Sequence, residues 1–348
     1  MYKKVLLNTA TQTIGKVITA SSTLLVTILI GKALGEAGFG EFTKIFVFVG
    51  YFYTLVDFGL NSVYVKIAQK HDEIFLLRNL LGLRLIISVS LALLAIIISL
   101  SVPFDSQSQT GFSPLVKLSI AIASLTIITQ ALIVTANSYF QKTLRYDLAT
   151  IATVLGAVIF LIGTYLVTIY NPGLLGYSAT YVLSGLTTVL VAYFLIFKKS
   201  KSWITPQFVK KHTKNILDQS WPVGVALILN IIYFRIDIFI LSSLRPAAEV
   251  GIYGLAYQFF EASLAIPIFF SNALYPVLLK IYSEDWDNFR NKVSHWLKIL
   301  AGVSIVLVFA LFTIAGAIPF IYNGQFSGSI QALRILALGI PFFFLTAV

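Results

Sequence analysis

Residues 79–102 read NLLGLRLIISVSLALLAIIISLSV, and Arg84 is the only charged residue among them. A helix that crosses the hydrocarbon of a bilayer needs about 20 mostly apolar residues. This stretch is long enough without its neighbours. Working outward, nine further apolar stretches cover 9–31, 42–65, 115–137, 148–169, 174–197, 219–242, 250–279, 296–319 and 329–348. Turn chemistry separates them at Gly35-Glu36-Ala37-Gly38, between Pro103 and Pro114, at Asn171-Pro172-Gly173 and at Asn323-Gly324. The pattern predicts an all-α polytopic membrane protein of about ten spans. Composition agrees: mean hydropathy is +0.89, with 58% hydrophobic and 11% charged residues. A soluble domain of 348 residues cannot hide that much apolar surface.

The net charge of +11 would suggest nucleic acid in a soluble chain. Here the position of the charges explains it. Of the 25 basic residues, 18 fall at alternate ends of the spans, from Lys3 and Lys4 through Lys66, Lys142, Lys198 and Lys280 to Lys298. Five fall at the other ends: Lys32, Lys44, Lys117, Arg245 and Arg334. Lys16 and Arg235 lie inside spans. By the positive-inside rule the N-terminus and the end of the tenth span face the cytoplasm. The protein is expected in the cell membrane, against anionic lipid, with no nucleic-acid partner. There is no Cys, so disulfide and thiolate chemistry are absent. The N-terminal MYKKVLLNTATQ reads as a retained first helix and not as a cleaved signal.

The longest cytoplasmic link, 198–219, is rich in Lys and contains Trp203, Ile204 and Phe208; it reads as a surface-lying amphipathic linker. Residues 282–295 form a smaller version, with Trp286, Phe289 and Val293. The linker divides the chain into an N-lobe of six helices (1–197) and a C-lobe of four (220–348). A shift of about 211 positions lays ILIGKALGEAGFGEF (28–42) over FILSSLRPAAEVGIY (239–253). Either apolar helices match by chance here, or the lobes are parallel repeats. On the repeat reading, spans seven to ten match one to four and nothing matches five and six. The C-lobe is then expected to be truncated.

Polar residues inside spans are the candidates for function. Thr9, Gln12, Lys16, Thr19, Thr23 and Thr27 recur every three or four residues, so they share one helix face. Small hydroxyl residues can serve helix packing, and Lys16 can snorkel to the surface; alternatively the stripe lines a wet cavity. The second span carries Tyr53, Asp57, Asn61 and Tyr64. Asp57 and Arg84 should lie at similar depth, as a structural pair or with Asp57 in transport. The seventh span carries Asn230, Arg235 and Asp237. Arg235 and Asp237 point to different sides, and Glu261 is the best sequence candidate to partner Arg235. Asn272 shares a face with Glu261. The alternative is that Arg235 presents its guanidinium to an anionic ligand. His71, His212 and His295 are scattered through loops without metal spacing. No Ser-centred elbow, P-loop or dinucleotide fingerprint occurs, so no catalytic set, metal or cofactor is expected.

LGEAGFGEF at 34–42, LVDFGLNSVYVKIA at 55–68, RIDIFILSSLRPAAEVGIYGLAYQFFEA at 235–262 and IPFIYNGQFSGSIQALRILALGIPFFFL at 318–345 carry a resemblance. The chain resembles the oligosaccharide flippases of the MATE-like multidrug/oligosaccharidyl-lipid/polysaccharide exporter superfamily. The resemblance implies a polyprenyl-diphosphate-linked oligosaccharide moved to the outer leaflet by alternating access. It also implies a pathway shared with a glycan polymerase or glycosyltransferases. On that reading Lys16, Arg235, Gln12, Thr19, Thr23, Asn61, Asn230 and Asn272 are candidates to bind substrate. Asp57, Glu261 and Asp237 are candidates to bind a coupling ion. A cation-coupled multidrug exporter of the same fold is the alternative. Members usually have twelve to fourteen helices, more than the ten expected here.

Overall fold

The computed structural model describes residues 2–67, 73–284 and 286–346, with backbone alone at 2–10, 73, 211, 215, 268–273, 275–277, 279–280 and 283–284. Its elements in chain order are α1 (Tyr2–Leu55), α2 (Leu60–Ile67), α3 (Glu73–Ser101), β1 (Phe104–Asp105), β2 (Thr110–Gly111), α4 (Pro114–Ala123), α5 (Leu125–Lys142) and α6 (Tyr146–Tyr170). Then follow α7 (Leu174–Ser200), α8 (Lys210–Leu244), α9 (Ala247–Glu284), α10 (Trp286–Ile321), α11 (Ser329–Ala337) and α12 (Ile340–Leu345). Among the described residues, seven helical stretches are long and apolar enough to cross a membrane. The first, Thr11–Ile67, is 57 residues long and holds both of the first two expected spans.

One turn read from sequence is formed, and three details differ. The first two spans meet at a kink at Gly35, inside the expected turn, where φ is 67° and ψ is −174°. A residue without Cβ meets that backbone at no steric cost. The second span breaks at Val56–Gly59 before α2 begins. Phe58 (φ 41°) and Gly59 (φ 74°) turn the chain there. The fourth span divides at Ser124, and the tenth divides into α11 and α12 near Gly339. The loop from Pro103 to Pro114 contains a short antiparallel hairpin, pairing Phe104 with Gly111 and Asp105 with Thr110. Asp105 accepts from the Ser108 hydroxyl at 2.6 Å and the Gln107 N–H at 2.9 Å, which hold its carboxyl below the usual range. The buried Lys44 donates to the Gly111 carbonyl at 2.9 Å and ties the hairpin to α1.

The chain forms two compact units, Met1–Val250 and Gly251–Val348. In the first, α1 packs on α6, α6 on α7, α3 on α5, and α8 on α1 and α2. Its core joins Leu60, Val63 and Tyr64 of α2 to Leu76, Leu77 and Leu80 of α3 and to Phe140 of α5. Lipid tails are as apolar as these side chains, so close fit holds helices together more than transfer from water does. Small residues supply that fit. A Cβ at Gly15 would collide with Thr150, and one at Gly156 with Thr188. Ser184 also donates to the Gly156 carbonyl at 2.8 Å. In the second unit α10 packs on α11 and α12, and Ser329 donates to the Ile252 carbonyl at 2.7 Å.

Candidate functional site

Two polar centres lie within the first unit. The first surrounds Arg84, a fully buried residue of α3. Its Nη2 donates to Asp57 Oδ1 at 2.7 Å and to Asn61 Oδ1 at 2.9 Å. Its Nη1 donates to Thr135 Oγ1 at 3.3 Å and Ser138 Oγ at 3.2 Å on α5. Ser138 Oγ also contacts Asn61 Oδ1. One guanidinium thus joins the break after α1, the start of α2, and α5. Asp57 serves the helix head as well. Its Oδ1 accepts the Asn61 N–H at 3.4 Å, in the first turn of α2. The structural pairing read from sequence is therefore formed.

The break is also held from α8. A Cβ on Gly224 would collide with the Phe58 ring, and one on Gly59 with Val223 and the Ser220 carbonyl. Further along α8, the Tyr51 hydroxyl donates to the Arg235 carbonyl, and the Tyr51 ring meets Phe239 edge-on at 6.1 Å. These contacts fix α8 to α1 through the backbone of Arg235.

The second centre is a cavity of about 380 Å³ between the first arm of α1, the end of α5 and the start of α6. Gln12, Gly15, Lys16 and Thr19 line it from α1, Asn137 and Gln141 from α5, and Tyr146, Thr150 and Thr153 from α6. Among the described lining residues Lys16 is the one that is charged, and none carries a carboxylate. Gly15 explains the geometry. It lets α6 approach α1 at Thr150, so Gln12 and Lys16, one turn apart on the same face, look into the space beside that crossing.

The threonine stripe divides by hydrogen bonding. Thr19, Thr23 and Thr27 donate their hydroxyls to the carbonyls of Lys16, Thr19 and Thr23 at 3.1, 3.0 and 2.9 Å. Such hydroxyls keep lone pairs to accept with but have no proton left to give. Lys16, Asn137 and Gln141 carry N–H groups of the lining.

Of the sequence candidates, the structure thus brings Gln12, Lys16 and Thr19 together in the cavity, and Asp57 and Asn61 together around Arg84. Thr23 is exposed and is not a lining residue. Asn230 is exposed on α8, while Arg235 and Asp237 are half-buried there. The Asp237 carboxylate accepts the Ile238 N–H at 2.8 Å. Glu261 is a partly buried residue of the second unit; the side chain of Asn272, on the same helix, lies outside the described residues. Sequence reading missed Asn137, Gln141, Thr150 and Thr153. Asn137 and Gln141 are four apart at the end of an apolar span, a signal of the kind that drew attention to α1. His71 also lies outside the described residues, and among those described no group of three His, Cys, Asp or Glu could hold a metal.

Long apolar helices with interior breaks, a buried cation and a polar cavity define a polytopic membrane protein. A family profile described as polysaccharide biosynthesis protein matches residues 5–282, and the chain belongs to that family. Its fold is that of three solved proteins. The structure titled lipid II flippase MurJ, inward closed conformation, has a TM-score of 0.74 and 17% identity, over 98% of this chain and 74% of that one. An inward-facing multidrug resistance MATE family transporter of the MOP superfamily has a TM-score of 0.70 and 15% identity, over 94% and 78%. A MATE protein in complex with MaL6 has a TM-score of 0.65 and 18% identity, over 99% and 80%. Among curated proteins, none matches the chain.

Proposed function

We propose that the protein flips a polyprenyl-diphosphate-linked oligosaccharide from the cytoplasmic to the outer leaflet of the cell membrane, for surface polysaccharide synthesis. The family supports a role in polysaccharide biosynthesis, and the fold supports transport. The observation that carries the substrate class is the cavity beside Lys16. It has a cation, side-chain amides and several hydroxyls, with no carboxylate among its described lining residues. Its volume falls in the range of small-molecule pockets, about 300–1,000 Å³. That suits a headgroup whose tail stays in lipid. A diphosphate cannot cross hydrocarbon unaided, because an unpaired buried charge costs far more than a hydrogen bond returns.

The donors and acceptors suggest a division of labour. Lys16, Gln12, Asn137 and Gln141 would hold phosphate oxygens, while Thr19 would accept from sugar hydroxyls. Arg235 and Asn230 would meet substrate from α8. Thr23, off the lining, would take no direct part. Asn61 would act through the Arg84 network. A coupling ion at Asp57 would have to displace a guanidinium at 2.7 Å, so coupling falls to Asp237 or Glu261. The N-terminus would be cytoplasmic, and two repeat lobes, 1–197 and 220–348, would rock about the 198–219 linker. Glycosyltransferases or a polymerase of the same pathway would supply and consume the glycan. Multidrug export is the weaker reading, because a lining charged by Lys16 repels cationic drugs. The test is glycan export in a strain carrying Lys16→Gln. The expected result is loss of export with normal amounts of protein in the membrane; undiminished export overturns the assignment of this cavity.

A further inference from the structure

The turn between α7 and α8 has two faces of opposite character. One is docked. Arg78 of α3 donates to Ser202 Oγ at 3.1 Å and to the Trp203 carbonyl at 2.8 Å. The Gln207 N–H donates to the Arg78 carbonyl at 3.0 Å, and the Val209 N–H to the buried Asn79 Oδ1 at 2.9 Å. A Cβ at Gly82 would collide with the Gln207 carbonyl, so the strap backbone lies directly on α3. Ile204 packs against the core of the first unit. Residues 201–209 are therefore an extended strap, fastened along its length.

The other face is open. Trp203 is 67% exposed and stacks on Phe197 at 4.5 Å, and Phe208 is 56% exposed. Six lysines lie between 198 and 214, and no Asp or Glu occurs from 198 to 217. Lys198, Lys199, Lys201, Lys210 and Lys214 are all exposed. The helices on either side, Leu174–Ser200 and His212–Leu244, are both long and apolar enough to span. A strap joining two spans sits at a membrane surface, where amphipathic aromatic rings settle at headgroup depth.

We propose that the strap is a binding surface for anionic phospholipid headgroups, with Trp203 and Phe208 as the interfacial foot and the lysines as the charge-reading groups. A solvated loop would need neither exposed ring. A zwitterionic leaflet would satisfy the rings but offer no net counter-charge to the exposed Lys198, Lys201, Lys210 and Lys214. Because the strap is bonded to Arg78 and Asn79, lipids gathered there steady the α7–α8 connection against α3.

The test uses the full chain in nanodiscs, with Trp221, Trp286 and Trp296 replaced by Phe so that Trp203 alone reports. Phosphatidylglycerol or phosphatidylcholine brominated on its acyl chains is titrated in at equal mole fraction. Quenching by both lipids shows that the ring lies in the interface. The expected preference for phosphatidylglycerol is about fivefold, the weight of one fully effective lysine near an anionic surface. It should fall to about parity with Lys198→Gln, Lys199→Gln and Lys201→Gln combined, and in high salt. Equal quenching in the parent overturns the proposal, as does a preference that survives the glutamines. Should the single-tryptophan chain not fold, phosphatidylglycerol retained through purification by the native chain and by the triple glutamine variant decides. More retained lipid on the native chain supports the proposal, and equal amounts overturn it.

Discussion

The Arg84 guanidinium donates to the Asp57 carboxylate at 2.7 Å, with Arg84 fully buried and Asp57 about one-third exposed. Asp57 lies in the break between α1 and α2, and Arg84 is the only charge in the span that carries it. The pair is thus the fastening of a discontinuous helix. A buried ion pair adds little over a well-packed apolar pair, but removing one partner leaves the other uncompensated.

Arg84→Met should therefore destabilise the protein strongly, since it strips four hydrogen bonds from Asp57, Asn61, Thr135 and Ser138. The loss of one partner from a buried pair costs about 3–5 kcal/mol. Solvent at Asp57 discounts this toward the lower end. Asp57→Asn keeps an acceptor for Arg84 and should cost less. Arg84→Met with Asp57→Leu should recover part of the single-variant loss, read as thermal unfolding midpoints in detergent. Additive losses would show that the two residues do not act as a unit.

The break itself was hidden in the sequence. Residues 42–65 are apolar enough for one uninterrupted helix, and the run Asp57-Phe58-Gly59 gives no sign that Phe58 takes a positive φ. Only the Phe58 ring against Gly224 and the Asp57–Arg84 bond, both distant in sequence, make that turn worthwhile. Span existence, by contrast, was legible, because hydrophobic length is a property of each segment alone. The polar face of α1 was legible too, from its period. Its partners Asn137, Gln141 and Thr150 were not, because a helix face says nothing about which neighbour it meets.

The same geometry predicts the effect of filling the break. Gly59→Ala places a Cβ at φ 74° and against Val223. An L-residue forced into that region costs about 1 kcal/mol or more before any collision. Gly224→Ala adds the collision without the dihedral cost. Both variants should lower the unfolding midpoint, with Gly59→Ala the more severe. An unchanged midpoint for both would mean that α8 is not seated on the break.

Helix pairing within the first unit gives a third outcome. Gly156→Leu inserts a side chain where Thr188 and the Ser184 carbonyl already lie. Overpacking of this kind costs about 1–3 kcal/mol, and the Ser184 hydrogen bond to the Gly156 carbonyl would stretch or break. Gly302, with nothing within 4 Å of a built Cβ, is the internal control. Gly302→Ala should be neutral or slightly stabilising, since Ala is favoured over Gly in a helix by about 1 kcal/mol. Similar midpoint losses in the two variants would refute the packing account.

The cavity predicts a pattern of transport that a purely structural stripe would not give. A hydrogen bond to a charged group is worth about 1.5–3 kcal/mol, or roughly 10- to 150-fold in a rate or affinity. Lys16→Gln should lower export by about that factor, while Lys16→Arg, which keeps the charge, retains most of it. Asn137→Leu should give a smaller loss, because an amide is neutral. Thr23→Val is the discriminating case. Thr23 shares the helix face with Lys16 but does not line the cavity, and its hydroxyl serves the Thr19 carbonyl. Its replacement should leave export intact. If the stripe served only to pack α1, losses would instead follow burial, and the buried Thr27 would matter more than the exposed Lys16. Export rates for the four variants and Thr27→Val, each normalised to protein in the membrane, separate a ligand-binding face from a packing face.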